Sequence, residues 1–514
     1  MNELKLDFVK KTFSIYPQYY FTNYNSSASG WKNGIFHSKL PTIKINPSVS
    51  LSSYGLKVLT QAWDETGKPI NGDDKSRAHC TYADTLHIVL KVKNANYKLS
   101  LLLINKQDQK QIIDILVNKV VVTTVEILAN SQLNLVKEIA LTKDIFDLSF
   151  VEHIRSNTRE AAKANTVYLV ELKLKRTYKK KGKTLGIYIV SDSTAQTYSA
   201  QEYPQSGWGA ELYHQIKGND VKVSASSFYP QATKYLLNNL FIDNRSIGAR
   251  SSKTFITEGR LEAILKDIKP GDWALIQFGD NDATAYRPDR YVSPENFSIY
   301  LNQYVDSVRA RGAHPILISP PTQFKYDDKS RQFKICFNDY RRQMFTLSQK
   351  KNIPFIDLGK ETTNLLNKWG KDPAHALFLQ VQKLDYPNLK EDKFDITHFQ
   401  EYGAFEVAKI VAKNMMKIMN KKIFELRQYH QDYRPIIDYR LQKTFLKWHE
   451  ISESEFYIIK YIDQKERKHY LTTTTLNRVC ISGVARRKYL ILPYKEGLRL
   501  KNKIVIDCNE ISEA

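Results

Sequence analysis

Near Leu185 the hydrophobic rhythm of this chain changes, and that change constrains the fold more than any other feature. From Leu185 to Val190 the residues are almost all apolar, as in a strand buried on both faces. Similar short runs recur at Ala274-Leu275-Ile276-Gln277-Phe278, Ile316-Leu317-Ile318 and Pro354-Phe355-Ile356-Asp357-Leu358. Between them apolar residues recur at helical spacing. One set is Leu261, Ile264, Leu265 and Ile268; another is Phe297, Leu301, Tyr304, Val305 and Val308. Ser293 as N-cap, Pro294 at the first helical position and Gly312 past the end bracket the second set. Ala404, Val407, Ala408, Val411, Met415 and Ile418 mark a closing helix from about Glu401. Strands alternating with amphipathic helices predict an α/β unit over 184–425, a three-layer sandwich around a central parallel sheet.

The flanks read differently. Leu86, Ile88, Leu90 and Val92 alternate with other residues, Asn94-Ala95-Asn96 supplies turn chemistry, and Tyr97, Leu99, Leu101 and Leu103 alternate again. This pattern predicts a hairpin with one buried face. Tyr168, Val170, Leu172 and Leu174 repeat it, so 1–180 is expected to be a β-sandwich. A small β domain is expected over 436–514, from strand-like runs at 455–462, 471–475 and 489–492, with a fibronectin-III-like sandwich as its candidate form.

A chain of 514 residues with 42% hydrophobic and 25% charged residues can bury large cores without metal or disulfide support. Its four cysteines, Cys80, Cys336, Cys480 and Cys508, show no metal-ligand spacing, and only a Cys480–Cys508 bridge is left open. No metal or cofactor is expected. The 77 Lys and Arg against 54 Asp and Glu give a net charge of +23, which favours anionic partners such as an acidic polysaccharide. No nucleic-acid module is present, and the cluster Lys175-Arg176 with Lys179-Lys180-Lys181-Gly182-Lys183 reads as a solvated linker. Met1–Asp7 lacks an apolar signal segment and no run reaches membrane-spanning length. A cytoplasmic location is therefore expected, with an extracellular one left open.

Ligand sites of open α/β sheets gather beyond the C-terminal ends of the strands. Beyond Val190 stands Ser191-Asp192-Ser193-Thr194-Ala195; a serine there can expose its Oγ, with a helix N-terminus beyond it to favour negative charge. Beyond Gln277 stands Phe278-Gly279-Asp280-Asn281-Asp282, where Asn281 offers an amide donor to an oxyanion. Before the closing helix stands Phe394-Asp395-Ile396-Thr397-His398-Phe399, a carboxylate and an imidazole three residues apart in a predicted loop. Each alone is an ordinary turn. Together, in the order serine, amide, aspartate, histidine, they are what acyl transfer requires.

At these residues the chain resembles the SGNH (GDSL-type) hydrolases, in their rhamnogalacturonan acetylesterase-like branch. The resemblance rests on Asp192-Ser193-Thr194, Gly207-Trp208-Gly209, the block from Asn244 to Ser252, Phe278 to Asp282, and Asp395 to His398, and spans roughly 185–420. It implies Ser193 as nucleophile, His398 as general base and acid, and Asp395 as the orienting carboxylate. It implies an oxyanion hole from the Ser193 N–H, the Asn281 side chain and a backbone N–H of Gly248-Ala249-Arg250. Ala249 takes the place of the family's usual glycine before the arginine. Ser191 and Asp280 are further departures; many relatives carry histidine where Asp280 stands. Trp208, Arg250 and Asp280 are candidate substrate contacts. The resemblance also implies a galactose-binding-like sandwich ahead of the catalytic unit, and an O-acetylated carbohydrate as substrate, with an anionic one left open. Two other functions fit the same residues: a lipid esterase or thioesterase of the superfamily, and a non-catalytic glycan-binding protein with a degenerate hydrolase unit.

Overall fold

In the computed structural model the described residues are 86–152, 165–218, 221–226, 229, 232–382, 386, 388–419, 423–429, 450–451, 453–463, 466–476 and 488–507. To these are added short strands at 3–7, 12–15, 30–32, 35–37, 43–45, 50–52, 55–60, 445–447 and 478–480. The chain forms two compact units. One comprises Met1–Lys181, Phe255–Pro270 and Gln303–Ala313; the other comprises Gly182–Thr254, Gly271–Asn302 and His314–Ala514. The Cys480–Cys508 bridge lies outside the described residues, and Cys336 is a buried free thiol.

The first unit holds two antiparallel sheets. Asn96–Ile104 lies between Gln132–Ala140 and Asn165–Thr177 in one; Gln111–Val117 and Leu86–Lys91 flank Ile145–Glu152 in the other. Leu99, Leu101, Leu103, Leu172 and Leu174 from the first sheet share a core with Ile113, Ile115, Phe146, Leu148 and Phe150 from the second. The expected hairpin is therefore not formed. The two alternating runs lie in opposite sheets, and the Asn94-Ala95-Asn96 turn carries the chain across. Alternation reports a buried face and cannot say which strand is the neighbour. Within this unit the Arg311 guanidinium donates to the Asn96 Oδ1 at 3.0 and 2.8 Å and to the Leu141 carbonyl at 3.0 Å, while Asn96 Nδ2 donates to the Leu265 carbonyl at 2.8 Å.

The second unit is built on a seven-stranded sheet. Its strands are β1 (Leu185–Val190), β2 (Lys222–Ala225), β3 (Thr233–Leu236), β4 (Leu240–Asn244), β5 (Trp273–Gln277), β6 (His314–Ile318) and β7 (Phe355–Ile356), in the order β2-β3-β4-β1-β5-β6-β7. β4, β1, β5, β6 and β7 are parallel, whereas β2 and β3 add an antiparallel edge. The sheet is thus mixed, a correction to the all-parallel expectation. Ile187, Ile189, Leu275, Ile316 and Ile318 are fully buried. The helices include α1 (Pro294–Ala310), whose residues from Gln303 onward belong to the first unit, α2 (Asn338–Lys351), α3 (Leu358–Trp369) and α4 (Glu401–Met419). The chain leaves β1 towards β4 on one side and returns to β5 on the other, so the crossing direction reverses between β1 and β5. That switch point is where open α/β sheets leave a crevice.

The C-terminal residues contribute an antiparallel sheet with Phe456–Ile462 paired to both Lys468–Thr474 and Lys488–Lys495. Phe456, Ile458, Leu490 and Leu492 join the same core as Tyr402, Phe405 and Trp369. Trp369 stacks on Phe456 with centroids 5.7 Å apart, and the Tyr402 hydroxyl donates to Glu455 at 2.7 Å. Among the described residues no helix is long and apolar enough to cross a membrane.

Candidate active site

The loops after β1 and β5 open at the switch point, and a third strand reaches them. Asp395 and His398 lie on β9 (Lys393–Gln400), not in the loop expected from sequence. β9 pairs with β8 (Phe378–Val381) and with Gln205–Ser206. The register slips between Phe378 and Gln380, and the Asp395 carboxylate turns back on its own strand, accepting from the N–H of Thr397 at 2.7 Å and of His398 at 2.9 Å. An aspartate that bonds to nearby backbone in this way behaves as in a turn, so turn chemistry in the sequence masked a strand.

Ser193, His398 and Asp395 form one line. The His398 Nδ1 lies 2.7 Å from Asp395 Oδ2 and its Nε2 lies 2.9 Å from Ser193 Oγ. An ionised carboxylate only accepts, so Nδ1 carries the proton and Nε2 is free to accept from the serine hydroxyl. Burial opposes ionisation of Asp395, but the His398 side chain and the two backbone donors outweigh it and hold the carboxyl at about 2. For His398 burial acts downward, yet the hydrogen bond and charge of Asp395, with Asp280 and Asp192, raise it above its ordinary value.

The turn bearing Ser193 is fixed from below by groups that spacing alone did not single out. The buried Asp192 carboxylate accepts from Thr194 N–H at 3.0 Å and Thr194 Oγ1 at 2.7 Å. Gln277, at the end of β5, donates to Thr194 Oγ1 at 2.8 Å and accepts from the Trp208 indole at 2.6 Å. Asn244, at the end of β4, donates to the Ala195 carbonyl at 2.7 Å. Residues 193–195 form a turn with no helix directly behind it, so the expected helix N-terminus at Ser193 is absent. Trp208 is fully buried with its indole N–H bonded to Gln277, so it is no open substrate wall; it belongs to the floor under the Ser193 turn. The signal for these residues was polar character at the ends of apolar strands, where an unpaired buried polar group is costly.

Two further loops, bearing Gly248 to Arg250 and Asp280 to Asp282, meet beside Ser193. Ala249 has φ of +64°, the left-handed region that usually favours glycine. The Gly248 N–H is bonded to Gln196 Oε1 and is not available to substrate, so Gly248 is corrected to a structural role; the Ala249 N–H has no acceptor among the described residues. Asn281 Nδ2 donates to the Arg250 carbonyl at 3.1 Å, and Arg250 Nη1 donates to the Gly248 carbonyl at 3.0 Å. Asp280 is half-buried in the same loop. Burial, reinforced by the charges of Asp192 and Asp395 and opposed by His398 and Arg290, pushes its carboxyl up to about 7. Among the described residues no cluster of His, Cys, Asp and Glu could hold a metal ion.

The GDSL-like lipase/acylhydrolase family profile matches residues 187–411. The "Probable rhamnogalacturonan acetylesterase YesY" of Bacillus subtilis is 36% identical over 233 residues, 45% of this chain and 93% of that protein. The rhamnogalacturonan acetylesterase RhgT of the same organism is 30% identical over 236 residues, covering 46% and 91%. The crystal structure of Bacillus subtilis YxiM is 19% identical, covers 82% of this chain and all of that one, and has a TM-score of 0.38. With a triad line at a sheet switch point, and a relative above 30% identity matched over nearly its whole length, the chain belongs to the GDSL-like lipase/acylhydrolase family, is rhamnogalacturonan acetylesterase-like within it, and is a carboxylic ester hydrolase.

Proposed function

We propose that this protein is a serine esterase that removes acetyl groups from O-acetylated carbohydrate, with a rhamnogalacturonan-type pectic polysaccharide as the substrate class. The observation that carries the reading is the continuous line from Ser193 Oγ through His398 to Asp395, at 2.9 and 2.7 Å. Two relatives named rhamnogalacturonan acetylesterases support the substrate class.

In this mechanism Ser193 Oγ attacks the acetyl carbonyl while His398 Nε2 takes its proton. Asp395 holds the imidazole in the tautomer that can do so and stabilises the imidazolium that forms. The oxyanion is met by the N–H groups of Ser193 and Ala249 and by the Asn281 amide, whose bond to the Arg250 carbonyl keeps it aimed in the resting state. His398 then returns the proton to the departing sugar oxygen. Water attacks the acetyl-enzyme by the same route and acetate leaves. Arg250 and Asp280 border this point and contact the sugar. The 1–180 sandwich is, in this reading, a galactose-binding-like accessory domain, and the 436–514 sheet a fibronectin-III-like support of the catalytic unit.

The test is acetate release from acetylated pectic polysaccharide by the wild type and by Ser193→Ala. A loss of about 10⁴-fold or more is expected, as when a serine nucleophile is deleted. Equal, slow release by both proteins, with glycan binding intact, means a degenerate binding unit instead. A series of 4-nitrophenyl esters from acetate to palmitate is expected to peak at acetate; a peak at long chains means a lipid esterase.

A further inference from the structure

β9 carries Asp395 and His398 across a gap in its own ladder. It pairs with β8 as Phe399 to Phe378, then as Phe394 to Gln380 and Lys393 to Val381, so Leu379 alone faces Asp395, Ile396, Thr397 and His398. On its other edge Gln205–Ser206 pairs with Gln400 and Phe399. Among the described residues no strand pairs with 395–398. Such a bulge re-aims side chains, and backbone outside a ladder needs other partners. Neighbouring segments supply them. Phe324 N–H donates to the Ile396 carbonyl at 2.7 Å, Gln323 Nε2 to Thr397 Oγ1 at 2.8 Å, and Gln380 Nε2 to the Asp395 carbonyl at 3.4 Å. The last bond is long, so a small movement of Gln380 releases Asp395.

The orientation of Gln380 is set from behind. A carbonyl only accepts, so Gln380 turns its NH2 towards Asp395 and its Oε1 the other way. That oxygen meets His375 Nδ1, which therefore carries a proton and donates. A reversed amide would set two acceptors against each other at Asp395. Burial holds the His375 imidazole below its ordinary value, against the Gln380 bond and the Asp372 charge, so the ring is neutral at pH about 7. The ring packs on Phe324, with centroids 4.3 Å apart, and on Tyr470, with centroids 4.7 Å apart and planes 26° from parallel. Tyr470 belongs to the C-terminal sheet, on strand Lys468–Thr474. From the neighbouring strand Lys460 pairs at 2.6 Å with Asp372, three residues before His375. The family profile ends at residue 411, so both contacts come from beyond it.

We propose that the C-terminal sheet is a positioning element for the reaction: Tyr470 seats His375, His375 fixes the amide of Gln380, and Gln380 holds Asp395 where its carboxylate meets His398. Tyr470, His375 and Gln380 are positioning residues that act through Asp395. The role rests on the reading of Ser193, His398 and Asp395 as the catalytic line.

The test is the rate at which a fluorophosphonate labels Ser193, read by intact mass, beside kcat and KM for 4-nitrophenyl acetate. In labelling, Ser193 Oγ bonds to phosphorus, fluoride leaves with the electrons of the P–F bond, and the serine proton passes to His398 Nε2. The rate therefore reports the catalytic line without any glycan. Tyr470→Ala and His375→Leu are expected to slow labelling and to lower kcat about tenfold with KM unchanged, as for a slight misplacement of a catalytic group. Their acid limb of kcat/KM is expected to move to lower pH, because a loosened Asp395 raises His398 less, while Asp280 and Asp192 act on it as before. His375→Asn keeps an N–H for Gln380 and is expected to restore the rate. Tyr470→Phe gives up the 2.9 Å bond to Thr473 Oγ1 but keeps the ring, so it is expected to lose stability and keep the rate. A lower denaturant midpoint in Tyr470→Ala and His375→Leu, with labelling rate and acid limb unchanged, overturns the positioning role. So do His375→Asn and Tyr470→Phe variants as slow as the other two. A wild type that is never labelled at Ser193 overturns the catalytic line and the positioning role with it. Labelling in the expected order without acetate release from glycan overturns only the substrate class.

Discussion

The Asp282 carboxylate accepts from both the backbone N–H of Ser252, at 3.1 Å to either oxygen, and the Ser252 hydroxyl, at 2.5 Å. One buried side chain thus ties the loop that carries Asn281 to the segment that carries Ala249. The Tyr340 hydroxyl holds the same residue by its carbonyl, at 3.1 Å. Asp282→Ala is expected to lower stability by about 2–3 kcal/mol, since it strands buried donors. It is also expected to lower kcat by about 100-fold, because small displacements of positioning groups are that costly. Chemical denaturation and steady-state kinetics check the two halves; a stability loss with unchanged kcat means Asp282 does not position the oxyanion donors.

In the proposed mechanism Asn281→Ala removes an oxyanion donor while leaving Ser193, His398 and Asp395 untouched. The expected loss in kcat is about 10²–10³-fold with little change in KM, the pattern of an interaction gained in the transition state. A rise in KM with kcat unchanged assigns Asn281 to ground-state binding instead.

Activity needs His398 neutral, and its environment raises its pKa. The acid limb of kcat/KM is therefore expected to have its midpoint above 6.5, the ordinary value for histidine. Asp280 is one of the charges that hold it there, so Asp280→Asn is expected to move the midpoint to lower pH. Asp280 itself titrates near 7, so the limb belongs to the interacting pair and not to either residue alone. A pH profile of the two proteins decides it, and an upward shift in the variant contradicts the electrostatic account.

Several carboxyls are held protonated by burial: Glu211 is pushed up to about 8, with the Glu401 charge adding to the effect, and Glu262, Asp282 and Glu406 to about 7. Unfolded, these groups titrate near 4.5 for glutamate and 3.8 for aspartate. The native state therefore binds more protons between those values. The stability these groups contribute is fully present below the unfolded values and is lost as pH rises through about 7 to 8. Tm is expected to fall as pH rises across that window, and Glu406→Gln is expected to flatten the fall. A wild-type Tm that rises from pH about 5 to 8 runs against this sign.

The apolar runs at Leu185 to Val190 and Ile316 to Ile318 were legible as central strands because burial on both faces leaves no room for polar residues. β4 was not read from sequence: Leu240–Asn244 ends in Asp243 and Asn244, buried polar residues satisfied by Arg245 and by the serine turn. Helices α2 and α3 escaped for the opposite reason, since α2 carries many charges on a largely solvated surface. Ser193 and Asn281 were legible because each follows a strand end, and Asp395 and His398 because a carboxylate and an imidazole stand three residues apart just before the closing helix. Gln196, Gln277 and Asp282 were not, because their bonds run between segments 30 to 80 residues apart or more and leave no local pattern.

The two glycines around Trp208 are the last case, and they give the block at 207–209 its physical meaning. Trp208 N–H donates to the Thr194 carbonyl at 3.0 Å, so this segment lies against the turn that carries Ser193. A Cβ on Gly207 lies 2.4 Å from the Ala195 carbonyl carbon and 2.5 Å from the Gln196 nitrogen; one on Gly209 lies 2.5 Å from the Ala195 carbonyl oxygen. Those neighbours are backbone and cannot swing aside. Gly207→Ala must therefore displace the nucleophile turn or the indole floor beneath it. It is expected to lower stability by about 3 kcal/mol, the upper range for overpacking. It should also lower kcat, by moving Ser193 Oγ away from His398 Nε2. Measuring denaturant midpoint and kcat in Gly207→Ala separates this supporting role from a substrate wall. A wall predicts a change in KM with stability intact, whereas close backbone contact predicts that stability and kcat fall together.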